Sequence, residues 1–236
     1  MQIINSSYGI HPAITPPLPE GLWDDAVWGP TPALAVDCFR PEGSHHRPRT
    51  LCKLLYNEEK IFGIFRVEDQ FVRCRHTAFQ SDVWKDSCVE FFVQPQNCKG
   101  YFNFEFNCGG ALLASYVTDP TRVNGRLAQY TPLGPDDDRK ILRHASQPPV
   151  VEPETTAPLT WYLGFVLPFA VMEKYAGPRE DGKPRIWRGN FYKCGNDTSH
   201  PHWASWQPLA GRNFHDPDSF GELVFVPRAV QDRGQR

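Results

Sequence analysis

Ser87-Cys88-Val89-Glu90-Phe91-Phe92-Val93-Gln94 alternates along its whole length. Val89, Phe91 and Val93 point one way, and Cys88, Glu90, Phe92 and Gln94 the other, which is the two-residue period of a β-strand. Tyr101-Phe102-Asn103-Phe104-Glu105-Phe106-Asn107-Cys108 repeats the pattern, with three phenylalanines on its apolar face. The six residues between, Pro95 to Gly100, read as a hairpin loop. Pairing Gln94 with Tyr101 sets Glu90 opposite Glu105, Phe92 opposite Asn103 and Cys88 opposite Asn107.

Working outward, strands are expected at 33–38, 50–56, 61–67, 111–117, 160–167, 186–193 and 222–226. Asn57-Glu58-Glu59-Lys60 joins two of them as a tight hairpin. Helix is expected only at 23–27 and 169–175. Residues 132–158, rich in proline, form one long connection, with a short edge strand at 141–143 or 149–151. About ten strands at this spacing predict an all-β fold, a two-sheet antiparallel β-sandwich of jelly-roll type.

The chain has 236 residues, and its 25 Lys+Arg against 27 Asp+Glu give a formal charge of -2. Near-neutral charge argues against a nucleic acid or an acidic membrane as partner. No apolar run approaches the roughly 18 residues of a membrane span. Seven cysteines are scattered without a C-x-x-C pair, which argues against a zinc ribbon. With no signal-peptide pattern after Met1, the expected setting is reducing and cytoplasmic, or secreted if a leader has been removed. Asn5-Ser6-Ser7 and Asn196-Asp197-Thr198 match the glycosylation acceptor pattern, a pattern that often arises by chance.

The second face of these strands is chemically unusual. It gathers Glu90, Glu105, Asn103, Asn107, Arg188, Asn190 and Tyr192, with almost no lysine. Like charges placed opposite one another destabilise a strand pair, so a cation, Arg188 or a hydroxylated ligand is expected between Glu90 and Glu105. Four of the seven tryptophans, Trp23, Trp28, Trp161 and Trp187, read as packing. Trp84, Trp203 and Trp206 fall on loops near the polar face. A flat indole can cover the apolar C–H face of a sugar, and a carboxylate can accept from two adjacent hydroxyls.

Several segments resemble the family 9 carbohydrate-binding module and its DOMON-like relatives. They are Trp84-x-Asp86-Ser87-Cys88-Val89-Glu90-Phe91-Phe92, Tyr101-x-x-Phe104-Glu105-x-Asn107-x-x-Gly110, Leu22-Trp23-Asp24-Asp25-Ala26-Val27-Trp28, Trp187-x-x-Asn190-Phe191-Tyr192 and Phe214-His215-x-Pro217. The match runs from about 20 to 227 and treats 1–236 as a single sandwich domain. The resemblance implies a mono- or oligosaccharide partner held between two aromatic platforms, without catalysis, in an accessory role to carbohydrate catabolism. It implies Trp84 as one platform, Trp206 as the other with Trp203 as the alternative, and Glu90 as the hydroxyl-gripping carboxylate. Asn190 and either Arg188 or Lys193 match the region supplying further hydrogen bonds, with Glu105 and Asn103 beside them. An arginine that the family uses just after the second hairpin strand is replaced here by Ala111-Leu112-Leu113. The resemblance requires no cofactor but allows structural calcium, for which Asp69 and Asp136–Asp138 are the acidic residues at hand.

Two other functions fit part of the pattern. Glu90 and Glu105 could serve a glycoside hydrolase, since opposed strand positions approach the spacing of a retaining pair. A haem-binding relative would need an axial ligand such as Met172. His45, His46, His200 and His202 read as loop histidines rather than a metal cluster, and Phe214-His215-x-Pro217 as a structural corner.

Overall fold

The computed structural model describes residues 6–179 and 186–228; Asn5, the acceptor residue of the first triplet, lies outside them. In chain order the strands are β1 (Ser7–Pro12), β2 (Leu34–Ala35), β3 (Cys38–Phe39), β4 (Arg49–Tyr56), β5 (Lys60–Asp69), β6 (Val72–Cys74), β7 (Cys88–Gln94) and β8 (Tyr101–Asn107). After them come β9 (Leu112–Val123), β10 (Arg126–Pro132), β11 (Leu142–Ala145), β12 (Val151–Thr155), β13 (Leu159–Pro168), β14 (Ile186–Cys194), β15 (Trp203–Ser205) and β16 (Gly221–Phe225). Two helices, α1 (Pro135–Asp138) and α2 (Phe169–Ala176), are short.

One sheet runs β10-β9-β8-β7-β14-β16, and the other β4-β5-β13-β11. Strand β1 joins them: residues 7–10 pair parallel with β16, and His11 and Pro12 pair parallel with β4. The remaining ladders are antiparallel. The predicted register of the central hairpin is found, with Glu90 opposite Glu105, Phe92 opposite Asn103 and Cys88 opposite Asn107.

The apolar faces meet between the sheets. Phe91 stacks on Phe191 of its own sheet at 4.8 Å, and Phe106 stacks on Phe165 of the other at 5.4 Å. Each such side chain, fully buried, contributes roughly 1.5–3 kcal/mol. Trp23, Trp28, Trp161 and Trp187 are all buried.

Lys193 points inward by alternation, and its ammonium is wholly buried, 3.4 Å from Asp69 Oδ2. It also donates to His202 Nε2 at 2.8 Å and to the Cys194 carbonyl at 3.0 Å. Burial works to raise the Asp69 carboxyl's pKa, but Lys193, His46 and Trp161 together hold it well below the usual range. An ion pair this deep is tolerated because its oxygens and protons are matched by donors and acceptors.

Departures from the sequence reading have local causes. Residues 23–27 form turns rather than a helix. The turns are closed by their own backbone bonds and tied to β4 by Lys53, whose ammonium lies 4.4 Å from the Trp23 ring centre and donates to the carbonyls of Trp23 and Trp28. The 33–38 strand is two: β2 pairs with β4, and β3 crosses to β15. Both alternatives for the edge strand in 132–158 form, as β11 on β13 and β12 on β6. Strands β1, β6, β10 and β15 were not expected.

Candidate functional site

The outer face of the β14–β7–β8–β9 ladder is the floor of a cleft of about 750 Å³. Glu90, Phe92, Asn103, Glu105, Ser115 and Cys194 line that floor. Trp84 and Trp203 stand on its rim, both half-buried, and pack on the apolar cluster formed by Val83, Cys88, Ala111 and Cys194.

Trp84 owes its place to the residues after it. It lies in a single 3-10 turn, Val83–Lys85, ended by Asp86. Asp86 is 1% exposed and accepts from the backbone N–H groups of Arg75 and His76, from His76 Nδ1 and from Asn107 Nδ2. Asn107 in turn donates to the His76 carbonyl and accepts from the Ala111 N–H. Asp86 and Asn107 therefore act as clamps, not as ligand contacts. Trp203 is fixed by its Nε1 donating to Asn196 Oδ1 at 2.7 Å, and the Arg40 guanidinium lies 4.9 Å from its ring centre.

The two carboxyls on the floor are nearly inaccessible to solvent, with Glu90 2% and Glu105 5% exposed. Burial pushes the Glu105 pKa up to about 7, opposed by the Asn103 amide donating to its Oε1 at 2.8 Å. The Glu90 pKa is raised well above the carboxylate range, first by burial and then by Cys194 and Glu105. Burial and each other's proximity thus favour keeping at least one proton on the pair, which eases the repulsion between them. Arg188 does not intervene: it donates to the Pro217 carbonyl at 2.8 Å. Cys194 donates its thiol proton to Glu90 Oε1 at 3.2 Å.

Of the sequence-predicted residues, the fold brings Trp84, Glu90, Trp203, Glu105 and Asn103 to this one cleft. Trp206, Asn190 and Arg188 are placed elsewhere. Trp206 packs on the core, with its ring edge-on to Phe191 at 5.7 Å. Trp203 opens β15, whereas Trp206 lies just past its end, where its N–H donates to the Phe191 carbonyl and its ring turns onto the core. Asn190 is fully buried, and its amide serves the backbone of Phe191 and Gln207.

Arg122 also lines the cleft, on a hairpin arm that the sequence reading passed over. Pro120 inside β9 argues against a strand there. The overlooked signal was Asn124-Gly125, whose positive φ values of 53° and 79° build the two-residue turn. Leu113 lines the cleft from the Ala111-Leu112-Leu113 stretch. His215 joins the wall, bonded through Nδ1 to the Tyr101 hydroxyl at 2.7 Å and held neutral by burial, with its pKa at about 3. Phe214 stacks on Tyr192 at 4.1 Å, so the segment is the expected corner as well as part of the wall.

The acidic residues considered for calcium are largely engaged by neighbours, Asp137 through Oδ2 while its buried Oδ1 has no hydrogen-bond partner. Asp69 is committed to Lys193, His46 and Trp161; Asp137 to Lys174, Tyr175 and Gly134; Asp136 and Asp138 to Arg139 and Arg143. Among the four histidines, His46 packs edge-on to His202, and His200 stacks on Phe71 at 3.6 Å. Met172 is 2% exposed on α2, beside a cavity of only about 30 Å³, which offers no room for a haem.

Comparison with known proteins bears on this geometry. A family model described as carbohydrate-binding family 9 matches residues 30–225. A candidate carbohydrate-binding protein from Bacteroides uniformis is similar in structure, with a TM-score of 0.78 and 27% identity over 94% of this chain and 100% of its own. A family 9 carbohydrate-binding module from Caldicellulosiruptor kristjanssonii in complex with glucose aligns at TM-score 0.61 and 12% identity, covering 95% of this chain and 99% of that one. The same organism's module in complex with cellotriose aligns at TM-score 0.63 and 12% identity, covering 98% and 99%. No curated protein matches.

Proposed function

The chain belongs to carbohydrate-binding family 9, and we propose that it holds a mono- or oligosaccharide over Glu90, between Trp84 and Trp203, without cleaving it. One observation carries the proposal: two buried carboxyls form the floor of a cleft whose rim bears two half-buried indoles. Burying the C–H faces of a sugar ring on two indoles contributes a few kcal/mol at roughly 25 cal/mol per Å². Glu90, Glu105 and Asn103 then meet the hydroxyls, which apolar walls alone cannot orient.

Glycosidic hydrolysis is poorly served by the same groups. Glu90 and Glu105 are neighbours on one flat floor, whereas a hydrolase sets its two carboxyls on either side of the scissile bond. Burial also works against ionisation of Glu90, the state in which a carboxyl serves as nucleophile. The proposal requires no cofactor. A reducing, cytoplasmic setting belongs to the same reading, supported by seven cysteines without a disulfide.

Titration calorimetry with glucose, cellotriose and a panel of other saccharides tests the reading. Saturable heat with at least one sugar, abolished by Trp84→Ala in a folded protein, is the expected result. Absence of heat across the panel, or heat that survives Trp84→Ala unchanged, would refute it.

A further inference from the structure

Beside the cleft floor, with Cys194 lining it and Cys88 buried behind, two cysteines face each other. Cys88 of β7 and Cys194 of β14 are directly paired in register, and Glu90 lies two residues along β7 on the same face. The Cys88 and Cys194 sulfurs and a Glu90 oxygen all lie within 4.8 Å of one another, and the three side chains are buried. They form the one such grouping of three potential metal ligands among the described residues. From the arrangement of these three side chains we propose a binding site for a thiophilic divalent cation of the zinc class, held by Cys88, Cys194 and Glu90.

Four features support it. Zn–S bonds of about 2.3 Å and Zn–O bonds of about 2.0–2.2 Å set tetrahedral ligand atoms roughly 3.6–3.8 Å apart, within reach of this cluster by small side-chain rotations. Two thiolates and one carboxylate suit zinc rather than calcium or magnesium. All three ligands stand on central strands, so the backbone holds them in place. Cys194 and Glu90 also line the cleft, which leaves the fourth coordination position open to water or a ligand hydroxyl. On coordination each thiol loses its proton, and the Glu90 carboxyl loses its own where it is protonated; the protons pass to solvent. The site does not depend on the sugar reading, although its occupant would take up the Glu90 carboxylate.

Cobalt(II), a coloured stand-in for zinc, gives a direct readout on the full chain under reducing conditions. The expected result is a thiolate-to-cobalt charge-transfer band that saturates at one ion per chain and is bleached by Zn²⁺. Cys88→Ser and Cys194→Ser should each abolish the band, Glu90→Gln should weaken binding by about tenfold or more, and Cys38→Ser should leave it intact. The wild-type titration is decisive even if a cysteine variant fails to fold. No band from the folded wild-type chain would overturn the site. So would a band that persists in both Cys88→Ser and Cys194→Ser, or one that disappears only in Cys74→Ser.

Discussion

Asp86 Oδ2 accepts a hydrogen bond from Asn107 Nδ2 at 2.9 Å, joining the turn that carries Trp84 to the end of β8. Both side chains are almost fully buried, and Asp86 takes further bonds from two backbone N–H groups. Asp86→Ala strands these donors in the interior, where each lost partner costs about 1–3 kcal/mol. We expect a loss of about 3 kcal/mol or more in urea unfolding. Asp86→Asn, which keeps the acceptor, should recover part of it. A variant as stable as wild type would show that water replaces the carboxylate.

The polar sheet face, its register and the Trp84 loop were legible in the sequence because they rest on local alternation. Glu90 and Glu105 face each other for no reason beyond the period of two and the length of one loop. What could not be read depends on distant partners. Asn190 and Trp206 have the right chemistry for a sugar site, but the 203–207 segment folds over β14 and turns both to structural use. Arg122 was hidden for a different reason: Pro120 masks a strand whose Asn124-Gly125 turn is plain once sought. The clamp roles of Asp86 and Asn107 needed the backbone of 75–76, a segment with no pattern of its own.

Glu105 makes stability depend on pH in a direction opposite to that of most carboxylates. Its pKa rises from an ordinary 4.5 to about 7 in the fold, mainly through burial. The folded chain therefore binds more protons than the unfolded chain between these values, and stability falls as pH rises through that window. The full effect is about 3 kcal/mol at most. Glu105→Gln keeps the oxygen that accepts from Asn103 and removes the titration. It should be more stable than wild type at pH 8, with the gain shrinking toward pH 5, as read from denaturant midpoints. A gain independent of pH would contradict the assignment.

His202 acts at the acid side with the opposite slope. Burial, and then Lys193, lower its pKa to about 3 from an ordinary 6.5. Its Nε2 accepts from Lys193 and its Nδ1 bonds to the His200 carbonyl, an arrangement that requires the neutral ring. Between pH 6.5 and 3 the unfolded chain takes up a proton that the folded chain refuses, so stability falls as pH falls. His202→Gln retains an acceptor for Lys193 without titrating. Its unfolding midpoint should decline less steeply than that of wild type between pH 6.5 and 4; parallel profiles would place the acid sensitivity elsewhere.

Trp203 and Trp206 separate binding from packing within one short segment. Trp203 lines the cleft, its indole anchored by Asn196 and flanked by Arg40. Trp206 is packed on the core and edge-on to Phe191. Removing an indole that covers one face of a sugar should weaken binding by about tenfold or more, given roughly 1.5 kcal/mol for such a contact. Removing a half-buried core indole should instead cost about 2 kcal/mol of stability, less than a fully buried one. Calorimetry with the best-bound sugar of the panel and melting curves on both variants test the division. Trp203→Ala should lose affinity while melting near wild type, and Trp206→Ala should melt lower while still binding at the wild-type level once folded. The reverse pattern would restore Trp206 as the second platform and require the 203–207 segment to rotate on binding.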